Sequence, residues 1–133
     1  MIKPYRYDPS CTPEATLQSI MNEGGRTPDE IGNLVEQLAT HCAEQGNLPS
    51  ARCYAEFLVM HETKTERRAI CYLKLGGILE AMRDYAAAAD AYAAGAALNT
   101  PDVRTAYYLH NNLGFSLNQI GVHPAPIEHI PRT

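Results

Sequence analysis

Apolar residues along most of this chain recur at every third or fourth position, which is the spacing of one face of an α-helix. The spacing holds in separate stretches interrupted by glycine, proline or polar residues. The clearest helical series are Leu17-Ile20-Met21, Ile31-Leu34-Val35-Leu38-Ala39-Cys42, Ala51-Tyr54-Ala55-Leu58, Tyr72-Leu75-Gly76-Leu79, Tyr85-Ala88-Ala89-Tyr92-Ala96 and His110-Leu113-Gly114-Leu117. The pattern predicts an all-α protein of about six helices.

Residues that favour the start or the end of a helix lie between these apolar series. Thr27-Pro28-Asp29-Glu30 combines a capping box, a proline at the first helical position and acidic residues at the positive end of the helix dipole. Weaker starts lie at Thr12-Pro13 and Thr100-Pro101-Asp102. Gly24-Gly25 and Gly46-Asn47 end the helices that precede them.

The stretch from Tyr72 to Pro101 pairs a helix of large apolar residues with an alanine-rich helix after a short turn. Such a hairpin cannot bury its faces alone and needs copies of itself on either side. The order of its contact residues resembles the tetratricopeptide (TPR) repeat. The matching positions are Tyr72, Leu75, Gly76, Leu79, Ala88, Tyr92 and Pro101, although Pro101 falls one residue late and Gly95 stands where the family usually has alanine.

Two further segments share this register. Val35, Leu38, Ala39 and Cys42 occupy the places of Tyr72, Leu75, Gly76 and Leu79, and His110, Leu113, Gly114 and Leu117 occupy them again. The resemblance implies stacked antiparallel hairpins in a right-handed α-solenoid, with repeats at about 28–62, 66–99 and 101–121.

The third repeat stops after its first helix. Residues 122–133 contain three prolines and cannot form the regular second helix that the family pattern requires. We therefore predict an irregular arm at 1–11, a helical domain at 12–121 and a proline-rich tail at 122–133. The missing helix would leave an assembly surface of Leu113, Leu117 and Ile120, covered in part by the tail and in part by a second copy or a partner.

Charge and hydropathy exclude several classes of partner. The net charge of −4 gives no footprint for nucleic acid or an anionic membrane, and no apolar run approaches the ~18 residues of a transmembrane helix. The first ten residues lack the apolar core of a secretory signal. These features predict a cytoplasmic protein, in which Cys42, Cys53 and Cys71 act as reduced, buried hydrophobes.

Motifs that carry chemistry are missing from the sequence. It holds no G-x-S-x-G, P-loop or HExxH pattern, so we expect neither an enzyme nor a cofactor. His123, Glu128 and His129 in the tail are weak grounds for a metal site, and none is predicted. His110 stands at a large-residue position of its helix, which favours a packing histidine.

The TPR resemblance implies a concave groove lined by the first helix of each repeat. Three asparagines in the last helix, where asparagine is a poor helix former, favour a ladder of amides over a plain solvated face. The residues placed in this groove are Glu36, Gln37, Thr40, Leu73, Lys74, Tyr108, Asn111, Asn112, Phe115, Asn118 and Gln119.

The function this implies is a non-catalytic interaction module, a scaffold that binds a peptide or partner helix. TPR members that clamp a chaperone's C-terminal carboxylate are disfavoured, because only Asn112 matches while Glu36 and Leu73 stand where lysines are needed. The alternatives are a homo-oligomer joined through the incomplete third repeat, and a chaperone similar to those of type III secretion.

Overall fold

The computed structural model describes residues 4–121, and this part of the chain contains six α-helices and no strand. The predicted all-α fold is confirmed. The predicted tail at 122–133 lies outside the described residues, as do residues 1–3 of the predicted arm. The helices are α1 (Pro13–Glu23), α2 (Pro28–Glu44), α3 (Leu48–His61), α4 (Thr65–Ala81), α5 (Tyr85–Ala96) and α6 (Val103–Gln119).

The predicted start signals cap their helices. The Thr27 hydroxyl accepts the Glu30 N–H at 3.1 Å, and the Glu30 carboxylate accepts the Thr27 N–H at 2.8 Å, which completes the capping box of α2. Thr12 caps α1. Asn47, which was predicted only as part of the end of the preceding helix, caps α3. In the Thr100-Pro101-Asp102 start, the residue that caps α6 is Asp102, whose side chain accepts the N–H of Thr105. No described helix is both long and apolar enough to cross a bilayer.

The chain forms two compact units, Met1–Thr63 and Lys64–Thr133. Their boundary lies between the end of α3 at His61 and the start of α4 at Thr65. Unit 1 contains α1 to α3 and unit 2 contains α4 to α6. Whether the helices continue from one unit to the next as a solenoid stays a prediction.

In unit 1, α2 and α3 are joined by a short link at 45–47 and pack side by side. Their contact buries the residues that the helical spacing assigns to it. The buried set is Ile31, Val35, Leu38, Ala39 and Cys42 from α2, with Ala51, Tyr54, Ala55, Leu58 and Val59 from α3. The shorter α1 packs against α3 and buries Ile20.

The N-terminal arm is irregular between residues 4 and 11 and is held against unit 1 by its two tyrosines. The Tyr7 ring meets the His41 ring edge-on at 6.0 Å, and its hydroxyl lies 3.8 Å from the Cys42 sulfur. The Arg26 guanidinium stands 5.6 Å from the centre of the Tyr5 ring and donates to the Pro4 carbonyl at 3.2 Å. Burial raises the pKa of Tyr7 to about 12, with the Cys42 contact adding to the shift.

In unit 2, two glycines make room for side chains of the neighbouring helix. A β-carbon at position 76 of α4 would lie 2.6 Å from Cδ1 of Tyr92, so only glycine accommodates the Tyr92 ring. A β-carbon at position 95 of α5 would lie 2.7 Å from Cδ2 of Leu109 and 2.9 Å from Cβ of Tyr72. Gly95 therefore has a packing reason to stand where the repeat pattern expects alanine.

The register of α6 differs from the prediction. The residues of α6 that are buried are Thr105, Leu109 and Ser116, and not the series that begins at His110. His110 is exposed, so the prediction of a packing histidine was wrong. The side of α6 that packs on α5 carries Leu109, together with the buried Thr105 and Ser116. The predicted series lies on the adjacent side of the helix.

Candidate binding surface

The richest exposed surface in unit 2 is a row along α6 formed by Tyr108, Asn111, Phe115 and Asn118. These residues are three or four positions apart, so they share one side of the helix. All four are exposed, together with the neighbouring Gln119. The row presents two aromatic rings and two amides to solvent.

The two aromatic residues of this row keep nearly half of their surface accessible, 45% for Tyr108 and 43% for Phe115. Each is also supported by a second ring. Phe115 meets Tyr85 of α5 edge-on at 6.1 Å, and Tyr108 meets Tyr107 at 5.5 Å. A supported but open ring loses little conformational freedom on binding, which is a property of anchor residues.

A polar connection under this surface joins α4, α5 and α6. The Tyr92 hydroxyl donates to the Glu80 carboxylate at 2.9 Å, and Asn112 of α6 hydrogen-bonds the same phenol. Burial, reinforced by the Glu80 hydrogen bond and charge, raises the pKa of Tyr92, while the Asn112 contact lowers it. Asn112 is half-buried, so its amide is held in place next to the exposed row.

On α4, the predicted groove residues Leu73 and Lys74 lie at the surface of unit 2. Leu73 is half-buried and Lys74 is exposed. The pKa of Lys74 lies below its ordinary value because the ammonium is partly desolvated. Since α4 and α6 also pack against each other, these residues and the α6 row belong to neighbouring helices of one unit.

The predicted groove residues of unit 1 lie on α2. Gln37 and Thr40 are exposed and Glu36 is half-buried. They share a side of α2, as the helical spacing requires. A single groove that runs through all three predicted repeats would span both units and stays a prediction.

The predicted assembly surface is only partly covered. Leu113 and Leu117 are half-buried and Ile120 is exposed. Among the described residues nothing lies within 4 Å of a β-carbon built at Gly114, in contrast to Gly76 at the same register of α4.

The four cysteines are free, and their burial differs from the prediction. Cys42 is buried as expected, but Cys53 and Cys71 are only half-buried. Burial and the nearby Glu14 carboxylate raise the pKa of the Cys53 thiol to about 11. Within residues 4–121 no group of His, Cys, Asp or Glu is arranged to hold a metal ion, and the candidate set His123, Glu128 and His129 lies outside them.

Two features of this region were not predicted from the sequence. The first is the Glu80–Tyr92–Asn112 connection, since it depends on a contact between three helices that periodicity does not report. The second is the burial of Ser116, a polar residue whose hydroxyl has no hydrogen-bond partner among the described residues. The spacing Thr105-Leu109-Asn112-Ser116 would have indicated that Asn112 and Ser116 lie on the contact side of α6, had small polar residues been counted as contact residues.

Comparisons with protein-family models, with curated proteins and with solved structures found no match for this chain.

Proposed function

We propose that this protein is a non-catalytic interaction module of TPR type that binds an extended peptide or a partner helix on the α4–α6 side of unit 2. Support for the TPR assignment comes from the repeated hairpin register of the sequence. Support for binding comes from the surface chemistry of α6, and the residues of unit 1 would extend the site if the predicted groove is continuous.

One observation carries the proposal: the row Tyr108-Asn111-Phe115-Asn118 exposes two anchored aromatic rings between side-chain amides. Amides can both donate to and accept from a peptide backbone, and open aromatic rings supply apolar contact area. Asn112, fixed through Tyr92, would add a further amide at a defined position. The ligand that suits this surface is a peptide segment whose backbone N–H and C=O groups are free to hydrogen-bond and which carries one or two apolar side chains.

The experiment is a peptide selection against the intact chain, followed by affinity measurements on variants. A displayed library of random peptides is enriched on immobilised protein, and the selected peptides are synthesised and titrated by fluorescence anisotropy. We expect Phe115→Ala and Tyr108→Ala each to weaken binding at least tenfold, as truncation of an aromatic anchor does.

Met60→Ala is the control, because Met60 lies on α3 in unit 1, is 82% exposed and belongs to no predicted binding set. Its binding should stay within about twofold of the parent. Selected peptides that bind equally well to the Tyr108 and Phe115 variants would place the site elsewhere and contradict the proposal. A selection that enriches no peptide above a blank surface would also contradict it.

A further inference from the structure

Glu80 of α4 is an acidic side chain at an electrostatically unfavourable position. It is the last residue but one of the helix, where the carbonyl end of the helix dipole is negative and an acidic group is disfavoured. The last turn of α4 contains no basic residue that would offset this charge. A carboxylate that weakens its own helix indicates another use.

One oxygen of this carboxylate is bound within unit 2, and the other has no donor among the described residues. Oε1 accepts the hydrogen bond from the Tyr92 hydroxyl at 2.9 Å, while residues 4–121 supply neither a donor to Oε2 nor an ion pair to Glu80. Glu80 is half-buried, so part of its surface stays accessible to a ligand. An ionised carboxylate only accepts hydrogen bonds, and it accepts them most strongly from a cationic group.

The carboxylate lies beside the row on α6. Asn112 hydrogen-bonds the same Tyr92 phenol from α6, and Phe115 stands three positions further along that helix, which makes the two neighbours. The Phe115 ring also meets the ring of Tyr85, the first residue of α5. Glu80, one fixed amide and two aromatic rings therefore belong to one region of unit 2.

The direction of the helices makes this region negative. Two sets of contacting residues advance in the same direction along α4 and α6, so these two helices are parallel. The sets are Tyr72–Gly95–Leu109 and Glu80–Tyr92–Asn112. The negative ends of both helices thus lie at the same end of unit 2, and neither last turn contains a basic residue. Arg83 and Asp84, in the turn after α4, offset each other in charge.

We infer that the peptide bound along the row carries a lysine or arginine whose cationic group pairs with Glu80. This inference rests on the proposed function and narrows its ligand to peptides that combine a basic side chain with an apolar one. The stem of a long basic side chain can pack on the Phe115 ring while its charged group reaches the carboxylate. A cation next to an aromatic ring gains a further attraction from the ring itself.

The test starts from the peptides selected on the intact chain. We expect lysine or arginine to be enriched in them relative to the input library. Each selected peptide is synthesised in its original form and in forms in which each basic residue in turn is replaced by methionine, which has an unbranched stem but no charge. All forms are titrated by fluorescence anisotropy against the parent protein and against Glu80→Gln.

Glu80→Gln keeps an oxygen that accepts the Tyr92 hydrogen bond and removes only the charge. It should weaken the original peptide by about fivefold or more, and bind one methionine form within about twofold of the parent protein's affinity for that form. Asp90→Asn is the matched control, because Asp90 is an exposed acid on α5 of the same unit and the substitution removes the same charge. It should bind the original peptide as the parent does.

Urea unfolding shows whether Glu80→Gln acts through the fold. Its unfolding midpoint should equal or exceed that of the parent, because the substitution removes a negative charge from the negative end of α4. A lower midpoint together with equal weakening of every peptide form would mean that Glu80 has a structural role, and would overturn the inference.

The same titrations separate this inference from the proposed function. Binding that requires Tyr108 and Phe115 but is unchanged in Glu80→Gln, or selected peptides without an enriched basic residue, would overturn the pairing and leave the proposed function standing. Binding that Glu80→Gln weakens only for the original peptide, and that Tyr108→Ala and Phe115→Ala leave unchanged, would support the pairing and contradict the site on the row. A selection that enriches no peptide contradicts both.

Discussion

Gly76 and Gly77 are adjacent on α4, yet their surroundings differ completely. Gly76 is buried against the ring of Tyr92, and a β-carbon there would overlap that ring. Gly77 faces open space among the described residues. The first glycine is required by packing, while the second only weakens the helix, because glycine has an entropic cost of roughly 0.5–1 kcal/mol relative to alanine.

We therefore predict opposite effects for two identical substitutions. Gly76→Ala should lower the free energy of unfolding by about 1–3 kcal/mol, since the Tyr92 ring must move or strain. Gly77→Ala should raise it by about 0.5–1 kcal/mol through helix propensity alone. Urea unfolding monitored by circular dichroism measures both values, and equal signs for the two variants would refute the packing described around Tyr92.

Helical spacing alone does not separate Gly76 from Gly114, because the two glycines occupy the same place in it. Since the third repeat was predicted to stop after its first helix, no following helix was expected over that side of α6. Only Gly76 has a neighbouring side chain over it among the described residues. Periodicity identifies residues that suit a contact, but whether a helix lies over them depends on the segment that comes next in the chain.

At the scale of single helices, the strongest start signal in the sequence is also the best-formed cap in the structure. The Thr27 side chain and the Glu30 side chain each satisfy a backbone N–H that the first turn of α2 would otherwise leave unpaired. Local signals of this kind are readable from sequence because both partners lie within four residues.

Removal of this cap should be measurable in unit 1. Thr27→Ala is expected to lower the free energy of unfolding by about 1 kcal/mol, and Thr27→Ser should retain most of the stability because serine supplies the same acceptor. Thermal unfolding of the three proteins gives the comparison. If the alanine and serine variants unfold together, the cap does not stabilise α2.

The arm contributes to unit 1 through a tyrosine whose ionisation is suppressed. In the unfolded chain Tyr7 should lose its proton near pH 10, whereas in the folded protein its pKa is about 12. The folded state thus binds this proton more tightly. The resulting stabilisation is fully present below pH 10 and is lost as the pH rises from 10 towards 12.

This pH dependence provides a test of arm docking. Tyr7→Phe keeps the ring next to His41 but has no ionisable group, so its stability should fall less steeply than that of the parent between about pH 10 and pH 12. Tyr107 is at an exposed position on α6, so the stability of Tyr107→Phe should fall with pH as steeply as that of the parent. The unfolding midpoint in urea at several pH values supplies the slopes. Parallel slopes for Tyr7→Phe and the parent would mean that the arm does not shield Tyr7.

For the whole molecule, helix number and helix boundaries could be predicted from sequence, but the division into two units could not. A hairpin such as α4–α5 leaves a local pattern in the chain, because its contact residues lie close together in sequence. Contacts between hairpins add only a few small residues, such as Gly95 and Ser116, that look unremarkable in the sequence by themselves. The candidate site could be proposed from sequence for the same reason, because α6 carries most of its residues on one helix.

The two units predict where the chain can be divided. Fragments 1–63 and 64–133 should each be helical and unfold on their own, although a unit of about 60 residues is expected to be marginally stable. A cut between residues 83 and 84 is the control, because it separates α5 from α4 and exposes Tyr92. Circular dichroism should show clearly less helix for that pair of fragments. Equal helix content after both cuts would contradict the division at residue 63.

The packing of Tyr92 over Gly76 has a consequence for finding relatives of this chain. A large residue at position 76 and a ring at position 92 exclude each other, so divergent sequences should change the two positions together: glycine with an aromatic, or alanine with a smaller aliphatic. Gly95 and Leu109 should be coupled in the same manner. Such paired substitutions should remain recognisable in relatives whose overall sequence identity is low. A search that scores positions 76 with 92 and 95 with 109 as pairs would therefore be more sensitive than one that scores each position separately.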